Sequence, residues 1–98
     1  MSVSAERNGG TVRIRIGGAM TIYDAAGIKK NLEAHLFSAD EAEMDLSEVS
    51  EIDTAGLQLL ILAKKESLNA RRRLMFIASS AAVDGLAALY GVKEFIGL

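Results

Sequence analysis

Apolar and polar residues alternate over TVRIRI, Thr11–Ile16. Val12, Ile14 and Ile16 fall on one side of an extended chain, and Arg13 and Arg15 on the other. That period of two predicts a strand with one buried and one solvated face. Upstream, VSAER alternates more weakly, and Asn8-Gly9-Gly10 is a hairpin turn signal. Residues 2–7 and 11–17 therefore read as an antiparallel pair.

The period then lengthens. After a loop, GGAMTIYD, the stretch AAGIKKNLEAHLF carries Ala25, Ile28, Leu32 and Leu36 at near-helical spacing, with Asp24 as the N-cap. Gly27 inside this helix costs about 1 kcal/mol relative to alanine, and close packing would explain it. AEMDLSEV returns to alternation: Ala42, Met44 and Leu46 on one face, Glu43, Asp45 and Ser47 on the other. TAGLQLLILAKKESLNA is the strongest helix. Leu57, Leu60, Ile61 and Leu68 form its stripe, widened by Leu59, Leu62 and Ala63. RRRLMFIAS is continuously apolar from Leu74 to Ala78, which suits a central strand covered on both faces. SAAVDGLAALYG predicts a last helix, capped by Ser79 or Ser80, facing Val83, Leu86, Ala87 and Tyr90 inward and stopped by Gly91. VKEFIGL is a short tail that docks through its apolar residues, either in the core or against a second copy.

The order is β-β-α-β-α-β-α. It predicts one α/β domain over residues 1–98, with a mixed four- to five-stranded sheet. Two strands keep polar outer faces, so the helices are expected mainly on one side.

Composition narrows the function. The chain has 98 residues, half of them hydrophobic and 24 % charged, with no cysteine and a net charge of −2. A thiolate metal site, a disulfide scaffold and a cysteine nucleophile are excluded. There is no basic field of the kind nucleic acid binding needs. The first ten residues lack the apolar core of a signal peptide. The longest apolar run, LQLLILA, is far below the ~20 residues that span a bilayer. A cytoplasmic protein without direct membrane insertion is expected.

Catalytic machinery is sparse. His35 is the single histidine and reads as a rim residue. No serine is tied to it by spacing, GGAMT lacks the lysine and spacing of a phosphate loop, and the carboxylates of residues 40–53 have no metal-site spacing. The chain is read as a non-enzyme without a cofactor, and a nucleotide- or small-ligand-binding role ranks low. Arg71–Arg73 read as a solvated turn beyond a helix C-terminus, with a partner surface or anionic lipid contact as the lesser reading. The acidic stretch ADEAEMDLSEVSEID reads as a wet strand face, or as a rim that selects partners by charge.

EIDTAGLQ holds the candidate site. Thr54 or Asp53 can cap the long helix, and that alone accounts for a threonine. Three features also suit a switch. Gly56 removes a side chain, so that a partner's backbone can approach; Ala55 keeps the surroundings small; and a phosphate on Thr54 would meet free helix amides while adding about −1.5 to −2 charges beside Glu51 and Asp53.

On these residues the chain resembles the STAS family, best known for anti-sigma factor antagonists. VRIRIGGAMTIYDAAGIKKNL, MDLSEVSEIDTAGL and RRLMFIASSAAVDGLAALYGV follow the family's order and spacing over nearly the whole chain. The resemblance implies a mixed sheet flanked by helices. It also implies binding to a kinase-type anti-sigma factor, released when that kinase phosphorylates the hydroxyl after the motif's aspartate, here Thr54. Many antagonists have serine at position 54, a second serine at position 55 and an aspartate at position 21. The Thr54–Ala55 pair looks more like STAS proteins of lipid-transport ABC complexes or chemotaxis gene clusters. The expected partner is thus a protein: a kinase-type anti-sigma factor, or a transporter ATPase on which the chain docks permanently. Thr21, Tyr23, Asp24, Asp53, Ala55, Gly56 and Gln58 are expected to contact it.

Overall fold

The computed structural model describes all 98 residues. Strand β1 (Ser2–Asn8) turns at Gly9, whose φ of 63° suits glycine, and pairs antiparallel with β2 (Thr11–Met20). Helix α1 (Ala25–His35) crosses to β3 (Glu41–Ile52), and helix α2 (Thr54–Asn69) to β4 (Arg73–Ser79), both strands running parallel to β2. Helix α3 (Ala81–Leu89) and a single turn, α4 (Lys93–Ile96), end the chain. The four strands lie in sequence order, β1-β2-β3-β4, so the sheet is mixed as expected.

Both periodicities converge on one core. Val12, Ile14, Ile16 and Met20 of β2 and Ala42, Met44, Leu46 and Val49 of β3 meet Ile28 and Leu32 of α1, Leu59, Leu60 and Ala63 of α2, and Val83 of α3. The helices thus cover one face. On the bare face Arg13 lies in register with Glu43 and Arg15 with Asp45, and each pair is bonded, at 3.0 and 3.2 Å. The more exposed of the two, Arg13–Glu43, contributes about 0–1 kcal/mol.

An extra residue in β3 interrupts the alternation. Arg15 pairs with Asp45, but Gly17 pairs with Glu48, so Leu46 and Val49 both point inward. Asp45 belongs to the predicted polar face, yet it is only 9 % exposed. Its carboxylate folds onto the Ser47 hydroxyl and N–H and accepts from Arg15, and these bonds hold it below the usual carboxylate range despite burial.

Several expectations are corrected. β4 is an edge strand, not a central one: Leu74 and Phe76 pack inward while Met75 and Ile77 stay 45 % and 40 % exposed. In α2 the inward row runs Leu57, Leu60, Ala63, Ser67, and Leu68 is 57 % exposed. Tyr90 lies beyond the last turn of α3 and is 55 % exposed. Gly27 is exposed and not closely packed. Asp24 precedes α1, but its side chain makes no capping bond, whereas the Ser80 hydroxyl accepts from the Val83 N–H. In the tail, Ile96 is buried against Leu57 and Ala87.

Candidate functional site

The parallel strands β2 and β3 reach furthest at Met20 and Ile52, which are partners in register. The chain leaves β2 into the Thr21–Asp24 turn, closed by the Asp24 N–H on the Thr21 carbonyl, and leaves β3 directly into α2. Two segments far apart in sequence thereby meet at one end of the sheet.

Asp53 joins them. As the extended N-cap of α2, it accepts from the Gly56 N–H through Oδ1 at 3.1 Å. Its other oxygen, Oδ2, accepts from the Ile22 N–H at 2.9 Å, and its own N–H donates to the Met20 carbonyl. The Ile22 bond first, then the Gly56 bond, hold its carboxyl below the ordinary carboxylate value. The cap of one helix is therefore also the anchor of the loop before the other.

Thr54, the first residue of α2, is exposed, and so is Gln58 one turn later. Ala55, Thr21 and Asp24 are half-buried. Tyr23 is 95 % exposed. Gly56 departs from its expected role. It is buried, and a side chain there would collide with the Met20 carbonyl and come within 2.9 Å of Ile52 Cγ1. The backbone it admits is the chain's own.

Ile22 is not among the residues expected from the sequence. It is 64 % exposed beside Tyr23, while its amide is fixed by Asp53. A large apolar residue in an otherwise polar loop is the available signal. Together the two form an exposed apolar tip beside the start of α2, tethered there through the Ile22 amide. Glu48, Ser50 and Glu51 on the approach to α2 are exposed, and neither glutamate is in an ion pair.

The largest depression, about 330 Å³, lies elsewhere, among Glu6, Asn8, Thr11, Arg13 and Glu43 on the bare face of the sheet. No group of three or more acidic or histidine side chains is placed to hold a metal ion. No helix is long and apolar enough to cross a membrane.

A family model described as "Mlab, STAS domain" matches residues 3–97. The chain belongs to the STAS domain family. No curated protein sequence matches it. Solved structures agree on the fold. An anti-sigma factor antagonist from Mycobacterium paratuberculosis superposes with a TM-score of 0.83 at 20% identity, over 96% of this chain and 80% of that one. The anti-sigma factor antagonist SpoIIAA in its unphosphorylated form gives 0.76 at 18% identity, over 95% and 84%. The Bacillus cell fate determinant SpoIIAA in its phosphorylated form gives 0.73 at 17% identity, over 95% and 86%. In this STAS domain, the exposed apolar tip and the exposed hydroxyl share the end of the sheet built by the DTAG motif.

Proposed function

We propose that this STAS domain is a regulatory protein-docking module without catalytic activity, switched by phosphorylation of Thr54. The partner in this reading is a kinase-type anti-sigma factor. Its docking surface comprises Ile22 and Tyr23, Thr21 and Asp24, and the α2 face of Thr54, Ala55 and Gln58. One observation carries the reading: the Asp53 carboxylate ties the Ile22 amide to the α2 cap, so an exposed hydroxyl and an apolar tip stand together as one preformed surface. Asp53 already takes the Gly56 amide. A phosphoryl group on Thr54 therefore adds charge beside Asp53 and Glu51, and acts on the partner more than on its own helix. That a SpoIIAA structure exists in both unphosphorylated and phosphorylated forms supports the same reading.

A second reading is favoured by Ala55 and by the family model's Mlab description: a subunit docked permanently on a transporter ATPase, with Thr54 acting by contact. The test is incubation with lysate of the cells that make the protein and ATP, followed by mass spectrometry, alongside binding to candidate kinases and ATPases. The switch predicts phosphothreonine at position 54, a kinase bound by Thr54→Ala, and loss of that kinase with Thr54→Glu. An unmodified Thr54 under every condition, with an ATPase bound throughout, selects permanent docking. Equal binding by both variants to a kinase ends the switch.

A further inference from the structure

We propose that the end of the domain away from Thr54 is a peripheral contact for an anionic lipid bilayer. Lys65, Arg71 and Arg73 meet the headgroups, and Leu68 and Phe37 enter the interface between them.

Helix α2 runs from Thr54 to Asn69, and charge divides along it. Lys64, Lys65, Arg71, Arg72 and Arg73 are five of the chain's 11 lysines and arginines, and residues 64–73 hold one acid, Glu66. The segments that build the Thr54 end, residues 17–28 and 46–63, hold Asp24, Glu48, Glu51 and Asp53 and no lysine or arginine. A domain of net charge −2 thus has one cationic end, and a negative surface would hold it with Thr54 pointing away.

These cations are free to act. Lys65, Arg71 and Arg73 are exposed, and none pairs with a carboxylate of its own chain. The exposed acids Asp40 and Glu41 lie at the same end, yet Arg73, in register with Glu41, makes no ion pair with it. Arg71 is also held against backbone preference. Its N–H donates to the Leu68 carbonyl and the Arg72 N–H to the Ser67 carbonyl, closing α2 on a residue with a φ of 55°. Glycine suits that position; arginine strains it and supplies a charged side chain.

Large apolar side chains stand among the cations. Leu68 is 57 % exposed on the last turn of α2, and Phe37, just after α1, is 39 % exposed. Arg72 ties the two turns together: its guanidinium lies over the Phe37 ring, 5.9 Å from the centroid, and Nη1 donates to the Ala39 carbonyl. Cations with apolar residues between them fit a bilayer surface, where headgroups take the charge and the acyl boundary takes the side chains. A nucleic acid backbone would take the cations and leave Leu68 in water.

Co-sedimentation of the whole chain with vesicles tests the proposal. The wild type should partition onto vesicles of two parts phosphatidylcholine to one part phosphatidylserine, and not onto phosphatidylcholine alone. About 1 M salt, which shortens screening to about 3 Å, should release it. Arg71→Gly and Arg73→Gln should each lower the partition about fivefold, and Arg71→Gly should do so without lowering the melting temperature. Leu68→Ser should also weaken it with the fold intact, since the side chain lies outside the core. Thr54→Glu should leave it unchanged, which separates this surface from the docking site. A wild type that stays off the mixed vesicles overturns the proposal. So does equal partition onto phosphatidylcholine alone, wild-type partition by Arg71→Gly, or tighter binding to a single-stranded polynucleotide than to the mixed vesicles.

Discussion

Gly56 of α2 is packed against the carbonyl of Met20, at the end of β2, 36 positions earlier in the chain, so closely that no side chain fits between them. Glycine normally weakens a helix by about 1 kcal/mol relative to alanine. Here the substitution reverses that order. A methyl at position 56 meets backbone, which cannot swing aside, and Ile52 Cγ1 at 2.9 Å. Gly56→Ala should destabilise the domain by about 2–4 kcal/mol. Denaturant unfolding monitored by circular dichroism would measure this; an unchanged midpoint would contradict the contact.

The same junction depends on charge. The Asp53 carboxylate accepts from both Ile22 N–H and Gly56 N–H. An asparagine side chain in its place could accept only one of these bonds, because its NH₂ would face a donor. Asp53→Asn should lower the melting temperature by several degrees at pH 7. The folded pKa of Asp53 is depressed, so its contribution is present above the unfolded carboxylate value, about 3.9, and is lost as pH falls through the lower folded value. The gap between variant and wild type should therefore close in acid. Asp45 is depressed too, by Ser47 first and then Arg15, and is common to both proteins, so it drops out of the comparison. A gap constant from pH 7 to pH 2, or one that widens in acid, would refute the assignment.

Ser67 makes a contrasting case. It is 2 % exposed in the inward row of α2, and its hydroxyl has no hydrogen-bond partner. A buried unsatisfied hydroxyl is costly, and serine is also a poorer helix former than alanine. Ser67→Ala should stabilise the domain by about 0.5–1.5 kcal/mol, which for a domain of this size raises the melting temperature by a few degrees. Calorimetry showing a loss instead would reveal a bond to the hydroxyl.

These residues also show what the sequence could convey. Alternation in TVRIRI and helical spacing in the two long helices are local, and gave element types, order and most of the core. The inward row of α2 passes through Ser67, so a reading by hydrophobicity moves to Leu68 next to it. Leu74–Ala78 look doubly buried because an edge strand and a central strand can share an apolar composition; which they are depends on neighbours that no local pattern encodes. At the site, Thr54 and Asp53 were legible from the motif and its capping chemistry. The reason for Gly56, and the role of Ile22, required knowing that Met20 and Ile22 return to the start of α2.

Thr54 itself should matter little to folding. It is exposed at the first position of α2, where its own side chain makes no hydrogen bond, and Asp53 supplies the cap. An added carboxylate there gains from the helix dipole, by about 0.3–1 kcal/mol, and is opposed by repulsion from Asp53 and Glu51. Thr54→Glu and Thr54→Ala should both melt within about 3 °C of the wild type, a shift well under 1 kcal/mol for a domain of this size. Differential scanning calorimetry at neutral pH would establish this. Agreement would mean that any partner lost by Thr54→Glu is lost at the docking surface, whereas a large drop in melting temperature would show that the hydroxyl supports the fold.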